Sequence, residues 1–518
     1  MTDVMKSWLE NRWQSGNGKP SPLVNPSTGA EVAHASTAGL NFGAALEYAR
    51  QHGGPALRSM TFAERGAMLA AASKAVHAHR AELIELAIQN GGNTRGDAKF
   101  DIDGGPGTMM YYAGVGKELG DRRYLLDGDA VQLTRSPRYV GRHILTPLTG
   151  AAVHINAFNF PAWGMLEKAS VAWLAGMPVV TKPATSTALV AARVAEILVE
   201  SEIFPPGAFS FIAGGAGDLL EHVALGDAVA FTGSSGVGRM VRTQPNIIAN
   251  SVRVNIEADS LNAAVLGPDV SEDSDTWDLF LREACKEITQ KAGQKCTALR
   301  RIFVPQSVID QVSAALAERL SEIRVGDPSL REVRMGPLSS ARQLEDVGRG
   351  VHRLLETCTS VLGDGGRGDL VGIEGQGGYF MSPVLLRAAS SDAPAVHADE
   401  VFGPVATLVP YDGTPEQAAE LVSLGNGGLA ASVYSDDREF ISTVVVLMAP
   451  WTGRICVGSA RVAEYAPGHG AVLPQLMHGG PGRAGGGEEL GGVRGLNFYL
   501  QRTAIQGSKP LLEKVLEV

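Results

Sequence analysis

Residues 151–231 begin with Ala151-Ala-Val-His-Ile155 and end with Ala228-Val-Ala-Phe231, and two more apolar runs lie between them, at 178–181 and 209–212. Each run is followed by a segment with helical character, and these segments are 162–175, 188–201, 217–224 and 236–244. Short apolar runs that alternate with helices predict an α/β protein with a parallel, doubly wound sheet and helices on both faces.

Before this stretch, residues 30–35 are predicted to form a strand, and residues 39–54 and 61–91 are predicted to be helical. Two further patterns flank the same stretch. A second alternating series runs from 261 to about 459, with strand candidates at 263–266, 301–304, 405–410 and 453–457 and helices at 277–291 and 308–323. Residues 124–146 alternate apolar and polar side chains instead, which predicts a strand pair that extends from the body as an arm. The glycine-rich segment 479–492 precedes a predicted strand at 496–505, which we expect to pair with the arm.

These patterns divide the chain into three predicted parts. A first α/β domain comprises residues 1–123 and 147–260, and a second comprises residues 261–478. The segments 124–146 and 479–518 are expected to bridge the domains and to join subunits. Because an exposed strand pair leaves unpaired edges, we expect a homodimer that adds a strand across subunits, or a dimer of such dimers.

Composition limits the class of protein. With 518 residues, 44% hydrophobic and 19% charged, the chain is typical of a globular protein of about three domains. A net charge of −10 without a basic block argues against a nucleic-acid partner. The charged segment 1–13 and the short apolar run 169–181 predict no secretory signal and no membrane partner. The four cysteines show no CxxC spacing and no cluster with histidine, which predicts a cytoplasmic protein without a metal site.

A candidate nucleophile lies in Gln290-Lys-Ala-Gly-Gln-Lys-Cys-Thr-Ala298. Gly293 permits close approach of the main chain to a ligand. The Lys295 cation is expected to lower the pKa of the Cys296 thiol and so to raise the fraction of nucleophilic thiolate. A free cysteine is also compatible with a small buried apolar side chain. This segment alone therefore leaves catalysis and packing open.

Two segments at predicted strand ends have the chemistry of a cofactor site. In Phe231-Thr-Gly-Ser-Ser-Gly-Val-Gly238, Gly233 and Ser234 lie at a helix N-terminus, where main-chain N–H groups can bind an anion. Lys182 follows another strand and can reach a ribose or a phosphate. A plain strand–helix turn and a solvated lysine are the alternative interpretations.

Two more strand ends offer catalytic groups. An amide in Asn156-Ala-Phe-Asn-Phe-Pro161 can donate to a developing oxyanion, although asparagine is also common in turns. Glu257 can act as a general base if burial raises its pKa, although most glutamates are simply solvated.

In this order the segments resemble the aldehyde dehydrogenase family, over residues 25–507. The matching motifs are Asn159-Phe-Pro161, Lys182-Pro183, Phe231-Thr-Gly-Ser234, Glu257, Gly293-Gln-Lys-Cys296 and Glu400-Val-Phe-Gly-Pro404. Each motif is weak alone, whereas six in one order are specific and favour catalysis at Cys296. The resemblance implies the aldehyde dehydrogenase fold, with two doubly wound parallel-sheet domains and a β-strand oligomerisation arm. It implies that residues 1–123 and 147–260 form the dinucleotide-binding domain and that residues 261–478 form the catalytic domain with the nucleophile cysteine.

The resemblance also implies catalytic roles. Cys296 would attack the aldehyde carbon, while the Asn159 amide and the Cys296 main-chain N–H hold the oxyanion. Glu257 would activate the water that releases the carboxylic acid. Lys168 and Glu489 match the positions of a proton relay behind this general base.

The cofactor residues are implied in the same way. Glu400 and Phe402 resemble the pair that positions the nicotinamide ribose and ring, whereas Lys182 and Ser234 resemble contacts to the adenosine ribose and the pyrophosphate. Many NAD-preferring relatives place a glutamate three residues after the lysine, and here that residue is Thr185. A carboxylate would repel a 2′-phosphate and a hydroxyl can donate to it, so the sequence predicts NADP.

Departures from the family pattern indicate a subgroup of the family, and alternative functions also remain to be weighed. Glu257-Ala-Asp-Ser-Leu-Asn262 replaces the usual Glu-Leu-Gly-Gly. Together with Gln501-Arg-Thr-Ala-Ile-Gln-Gly507 it resembles the aldehyde dehydrogenase domain of the phenylacetate ring-cleavage enzyme, and among stand-alone enzymes it resembles the semialdehyde dehydrogenases of aromatic (benzoate) degradation. This resemblance implies a semialdehyde carried as a CoA thioester. The rivals are a general or CoA-acylating aldehyde dehydrogenase and a catalytically silent binding protein. Glu257 disfavours the acylating enzyme, because a thiol acceptor needs no hydrolytic base, and the intact catalytic residues disfavour the silent protein.

Overall fold

The computed structural model describes residues 4–516, so residues 1–3 and 517–518 of the predicted first and last segments lie outside the described part. The strands are β1 (Val4–Met5), β2 (Ser7–Leu9), β3 (Arg12–Gln14), β4 (Ser21–Val24), β5 (Glu31–Ala35), β6 (Leu125–Gln132), β7 (Tyr139–Pro147), β8 (Ala152–Ile155), β9 (Val179–Lys182), β10 (Phe209–Phe211), β11 (Ala228–Thr232), β12 (Arg253–Glu257), β13 (Ala263–Leu266), β14 (Arg301–Pro305), β15 (Cys358–Leu362), β16 (Val384–Ala388), β17 (Val405–Tyr411), β18 (Gly428–Tyr434), β19 (Thr452–Gly458), β20 (Met477–Gly479), β21 (Glu488–Leu490) and β22 (Leu500–Ser508).

The α-helices are α1 (Phe42–Tyr48), α2 (Gly54–Ser59), α3 (Phe62–Ala78), α4 (Arg80–Gly91), α5 (Arg95–Leu119), α6 (Trp163–Ala175), α7 (Ala188–Glu200), α8 (Ser235–Arg242), α9 (Pro245–Ala249), α10 (Asp275–Thr289), α11 (Ile309–Ser321), α12 (Ala341–Leu355), α13 (Pro394–Ala398), α14 (Pro415–Ser423), α15 (Arg438–Met448) and α16 (Lys509–Val515). A π-helical turn, Ala49–Gly53, joins α1 to α2. Within residues 4–516, no helix is both long and apolar enough to cross a membrane.

The first large sheet has seven strands in the order β12-β11-β8-β9-β10-β2-β3. Strands β8 to β12 are parallel, and β2 and β3 add an antiparallel edge. The chain moves outward from β8 through β9 and β10 and then returns to β11 on the other side of β8. The strand order therefore reverses between β8 and β11, and ligands of doubly wound sheets bind outside the carboxyl ends of strands at such a reversal.

The second large sheet also has seven strands, in the order β15-β16-β17-β14-β13-β18-β19. All neighbouring pairs are parallel except β15 with β16. The four strands predicted at 263–266, 301–304, 405–410 and 453–457 are confirmed, as β13, β14, β17 and β19. The sequence did not predict β15, β16 and β18. Two doubly wound parallel sheets are the predicted fold class, which is confirmed.

The arm is a three-stranded antiparallel sheet in the order β22-β7-β6. Leu500 is paired with Pro147 and Ser508 with Tyr139, so β22 runs along the whole of β7. The predicted strand pair and its pairing with the C-terminal strand are confirmed. The predicted start of that strand is wrong, because a 3₁₀ turn, Gly492–Phe498, occupies its first part. The domain boundaries and the role of the arm in subunit contact stay predictions.

Other local predictions differ from the structure. The predicted helix at 61–91 is two helices, α3 and α4, which meet at His79. The predicted helix at 217–224 is only a 3₁₀ turn, Leu219–His222. The strand predicted at 30–35 is confirmed as β5. Strands β1 to β4 and the long helix α5 had no prediction, because short strands and a glycine-rich helix lack a clear apolar period.

Helix α6 brings charge into the core beside the first sheet. Nearly all of its residues are buried, including Glu167 and Lys168. Buried charges are costly unless they are paired. The charged residues of α6 therefore need partners from other elements, and these partners lie at the site described next.

Candidate active site

A pocket at the carboxyl edge of the first sheet is lined by Asn159, Glu257, Cys296 and His478. These residues come from four separate parts of the chain. Aromatic rings form its apolar wall. Phe100, Phe160 and Trp163 contact one another edge to face, with ring centroids 5.1 to 5.9 Å apart. The pocket thus combines ionisable groups at its base with an apolar wall.

Cys296 follows a left-handed turn. Lys291, Ala292 and Gly293 have φ angles of 55°, 51° and 66°. Such angles strain the two residues that have side chains, so the surroundings must hold the turn. A Cβ on Gly293 would lie 2.1 Å from the Gly403 carbonyl oxygen. The glycine therefore permits close packing against the main chain of the loop that contains Phe402, not against a ligand.

Arg300 fixes the same turn. Its guanidinium donates to the carbonyl oxygens of Gly293 at 2.8 Å and of Gly403 at 2.7 Å. It also lies over the Phe402 ring, 5.3 Å from the centroid. One buried cation thus joins the nucleophile loop to the loop with the predicted nicotinamide contacts.

Lys295 does not activate the thiol. Its ammonium is fully buried and donates to Glu287 Oε2 at 2.5 Å and to Gln290 Oε1 at 2.9 Å. Burial raises the pKa of the Cys296 thiol well above its usual value, and the Glu257 carboxylate adds to the rise. The expectation that Lys295 lowers this pKa is therefore wrong. The resting side chain is a thiol, and its reaction requires a base.

Glu257 ends β12 with its side chain 4% exposed. Thr232 Oγ1 donates to its Oε2 at 3.3 Å, and His478 Nε2 lies 3.2 Å from its Oε1. Burial alone would raise the pKa of Glu257, but the charge and hydrogen bond of His478, together with the Lys168 charge and a hydrogen bond from Cys296, outweigh burial and lower it. The rise on which the sequence made the role of Glu257 depend is therefore not found, and Glu257 is an ionised carboxylate that can accept a proton from water.

Asn159 lies in the connection from β8 to α6, is 8% exposed and borders the pocket with Cys296. Asn156, earlier in the same connection, donates from its side-chain amide to Thr181 Oγ1 at 2.9 Å. Its main-chain N–H donates to the Lys182 carbonyl at 2.9 Å. Asn156 therefore holds the turn in shape, and Asn159 is the amide that borders the pocket.

Lys168 and Glu489 are brought together as the sequence implied. Lys168 Nζ lies 2.9 Å from Glu489 Oε2 and 3.3 Å from Glu167 Oε1. One oxygen each of Glu167, Glu257 and Glu489 lie within 4.8 Å of one another. Burial raises the pKa of Glu167 to about 7. These groups form a continuous ionisable network behind Glu257.

The segment Glu257-Ala-Asp-Ser-Leu-Asn262 connects four parts of the site. Asn262 Nδ2 donates to the carbonyl oxygens of Cys296 at 2.7 Å and of Ala298 at 2.8 Å. The Ser260 N–H donates to Glu400 Oε1 at 3.1 Å. The residues that depart from the family pattern therefore hold the nucleophile loop and the predicted ribose contact in place.

Asp259, in the same segment, changes the expected anion site. Its carboxylate accepts the Ser235 N–H at 2.8 Å and the Ser235 hydroxyl at 2.5 Å. Ser234 is the exposed N-cap of α8 and accepts the Val237 N–H at 3.5 Å. A protein carboxylate thus already uses part of this helix N-terminus, so the anion site expected around Gly233 and Ser234 is smaller than the sequence suggested.

Lys182 and Thr185 lie at the end of β9, as predicted. Lys182 is half-buried, and burial lowers the pKa of its ammonium. Thr185 begins a short 3₁₀ turn, Thr185–Thr187, and is also half-buried. Phe402 lies beside Phe158, with ring centroids 5.8 Å apart. Burial raises the pKa of Glu400 to about 7.

Sequence reasoning missed several residues of this site. His478 and Cys296 are 182 positions apart, and Nε2 lies 3.9 Å from Sγ. The sequence-based statement that no cysteine clusters with histidine is therefore wrong for Cys296. Glu167, Thr232 and Arg300 were also missed. Glu167 is adjacent in sequence to the predicted Lys168, and Thr232 lies within the segment 231–238 that was predicted to bind an anion. Adjacency to a predicted residue was the only signal in the sequence for these two.

The chain belongs to the aldehyde dehydrogenase family. The model of the family described as "Aldehyde dehydrogenase family" matches residues 13–505. The chain is 44% identical over 478 residues to 3,4-dehydroadipyl-CoA semialdehyde dehydrogenase of Aromatoleum evansii, which covers 92% of this chain and 93% of that protein. It is 27% identical to retinal dehydrogenase 2 of Rattus norvegicus over 94% of this chain and 88% of the relative.

A solved structure supports the same assignment. Betaine aldehyde dehydrogenase of Staphylococcus aureus in complex with NAD⁺ matches with a TM-score of 0.83 and 25% identity. The match covers 97% of this chain and 95% of that one. The fold and the family thus agree over almost the whole molecule.

Proposed function

We propose that this protein oxidises an aldehyde to the carboxylic acid through a covalent intermediate on Cys296. The observation that carries the proposal is the presence of Cys296, Glu257 and Asn159 at one pocket. A nucleophilic thiol, a carboxylate base and an amide donor are the groups that formation and hydrolysis of a thioester require. Membership of the aldehyde dehydrogenase family supports the same reaction.

In the proposed reaction the Cys296 sulfur attacks the aldehyde carbon and forms a thiohemiacetal. The Asn159 amide and the Cys296 main-chain N–H donate to its oxyanion. A bound nicotinamide dinucleotide supplies the hydride acceptor. Glu257 then takes a proton from water, which attacks the thioester on Cys296 and releases the acid. The network of Lys168, Glu489 and Glu167 passes this proton onward.

The proposed cofactor is NADP. The Lys182 ammonium forms no hydrogen bond or ion pair among residues 4–516, and burial lowers its pKa. A partly buried cation without a partner is stabilised by an anionic ligand. Thr185 offers a hydroxyl donor to a 2′-phosphate where a carboxylate would repel it. Gly233 and Ser234 would bind the pyrophosphate, and Glu400 and Phe402 the nicotinamide ribose and ring.

The proposed substrate is 3,4-dehydroadipyl-CoA semialdehyde, in the degradation of benzoate. The 44% identity to the enzyme of that name supports it. The aromatic wall of Phe100, Phe160 and Trp163 suits the hydrocarbon part of such an aldehyde. Glu257, ionised beside Cys296, favours water over a thiol as the acyl acceptor. The active form is proposed to be a homodimer or a dimer of dimers that uses the outer edges of β6 and β22.

The first test compares NADP with NAD on an aliphatic semialdehyde, supplied free and as its CoA thioester. We expect kcat/KM to be highest for the CoA thioester with NADP. Equal values for the free aldehyde with NAD would contradict both the substrate and the cofactor. Cys296→Ala is expected to abolish turnover and to retain NADP binding, whereas Cys456→Ala should keep both. Turnover by Cys296→Ala would contradict the covalent mechanism.

A further inference from the structure

His478 occupies a position that the proposed reaction does not explain. It lies in β20 and is 3% exposed at the base of the pocket. Its Nε2 lies 3.9 Å from Cys296 Sγ and 3.2 Å from Glu257 Oε1. One nitrogen therefore faces both the proposed nucleophile and the proposed base.

Two other buried histidines differ from His478. His154 Nε2 bonds to the Tyr499 hydroxyl at 3.0 Å, and His469 Nδ1 bonds to the Ser432 hydroxyl at 2.6 Å. Burial lowers the pKa of His154 to about 3 and that of His469 to about 4. Both are neutral imidazoles held by hydroxyl groups. Packing and a hydroxyl partner explain them, but they do not explain His478.

The charges around His478 come from four elements. Glu257 faces it from β12, Glu167 from α6 and Arg454 from β19, and the Cys296 thiol faces it from the nucleophile loop. Burial lowers the pKa of His478, but the two carboxylates outweigh burial and Arg454 and raise it. The two carboxylates therefore make the imidazole of His478 a stronger proton acceptor than a free imidazole.

The neutral ring of His478 has two tautomers, and each suits a different neighbour. With the hydrogen on Nε2, the ring donates to Glu257 Oε1. With the hydrogen on Nδ1, which has no hydrogen-bond partner among the residues that the structure describes, the Nε2 lone pair faces the Cys296 thiol. The second tautomer is the one that can take the thiol proton.

We propose that His478 is a catalytic residue that accepts the thiol proton of Cys296 as the sulfur attacks. This rests on the proposed nucleophilic role of Cys296. The S–H bond breaks, and a bond forms between the proton and Nε2, which gives a thiolate and an imidazolium. The imidazolium then donates from Nε2 to Glu257 Oε1. His478 thus serves the thiol, and Glu257 stays ionised for water.

The test is alkylation of the free full-length enzyme by iodoacetamide between pH 5.5 and 10, in buffer with a chelator. Cys296→Ala is the blank for the other three cysteines. In the wild type we expect the rate to rise as the imidazole loses its proton, to level off, and to rise again as the thiol ionises. His478→Gln keeps an amide donor for Glu257, and His478→Phe keeps the bulk. Both should lose the first rise and react ~100-fold more slowly at pH 7.5.

Glu257→Gln is expected to change the alkylation rate in the opposite direction. The carboxylate raises the pKa values of both His478 and Cys296, so its removal should move both rises to lower pH and speed alkylation at pH 7. Wild-type profiles in the two folded His478 variants would overturn the proposal. If neither variant folds, as judged by Tm, slower alkylation of Glu257→Gln at pH 7 would overturn it.

Failure of this inference can be told apart from failure of the proposed function. Alkylation needs neither aldehyde nor cofactor, so it measures only the acid–base state of Cys296. If Cys296→Ala turns over aldehyde, the proposed function fails whatever the alkylation profile shows. If that variant is inactive and the His478 variants alkylate like the wild type, only the role of His478 is refuted.

Discussion

The region around Cys296 and the region around Lys182 differ in how completely the protein itself holds them. Glu257 and Cys296 have partners from several elements, and the side chains of Glu257 and His478 are 4% and 3% exposed. Lys182 and Thr185 are half-buried, and burial is the cause of the Lys182 pKa shift. The proposed catalytic groups are thus preorganised by protein contacts, whereas the proposed cofactor groups depend on an anion that the ligand would bring.

The largest effect should come from breaking the preorganised region at Glu257. Glu257→Gln keeps the shape and a hydrogen-bonding group but removes the base, so hydrolysis of the thioester should slow by ~10³-fold. Hydride transfer would still occur once at each site. Stopped-flow absorbance should therefore show a burst of about one NADPH per active site, followed by slow turnover.

A buried carboxylate outside the pocket provides the control. Glu283 accepts the Tyr434 hydroxyl at 2.6 Å and does not line the pocket. Glu283→Gln should lower Tm without producing a burst. A Glu257→Gln enzyme that hydrolyses the thioester at the wild-type rate would show that another group activates water.

This contrast also explains how much the sequence could predict. Cys296, Glu257 and Asn159 were predictable because each stands in a short motif, and motif order fixed the family and the two doubly wound sheets. His478 was not predictable, because its chemistry arises only where β20 comes beside β12 and the nucleophile loop. For the same reason, the expected fall in the pKa of Cys296 was wrong, and the rise on which the role of Glu257 was made to depend is not found. A pKa depends on burial and on charges that are distant in sequence, and Lys295, adjacent in sequence, is paired with Glu287.

The second-largest effect is expected at Asn262. This residue tests whether protein contacts preorganise the region around Cys296, because it holds the nucleophile loop but does not line the pocket. Asn262→Ala removes the donors to the carbonyl oxygens of Cys296 and Ala298. Misplacement of the loop should lower kcat by ~10- to 100-fold, and the unpaired buried carbonyls should cost about 1–3 kcal/mol of stability. Steady-state kinetics and Tm measure the two effects.

Asn90 is the matched control for Asn262. Its side-chain amide donates to the carbonyl oxygens of Val24 and Ser186 at 3.1 and 2.9 Å, far along the chain from Cys296. Asn90→Ala should lower Tm by a similar amount with a much smaller change in kcat, measured at saturating cofactor because Ser186 lies in the turn of the proposed cofactor residue Thr185. If both variants lose kcat equally, the effect of Asn262 is one of stability and not of loop position.

The smallest effect is expected in the cofactor region, where the ligand supplies part of the arrangement. Thr185→Glu places a carboxylate near the proposed 2′-phosphate site, and repulsion should lower kcat/KM for NADP by about tenfold or more with little change for NAD. Thr185→Gln has the same bulk without the charge and should lower kcat/KM for NADP much less. The measurement is the ratio of kcat/KM for the two cofactors, because effects of the substitution on the catalytic residues are the same for both cofactors and cancel in the ratio.

Equal losses of kcat/KM for NADP in the Glu and Gln variants would mean that bulk, not charge, decides the cofactor preference. An unchanged ratio in both would place the selection of NADP elsewhere, and Lys182, whose ammonium lacks a protein partner among residues 4–516, would then be the group to substitute next.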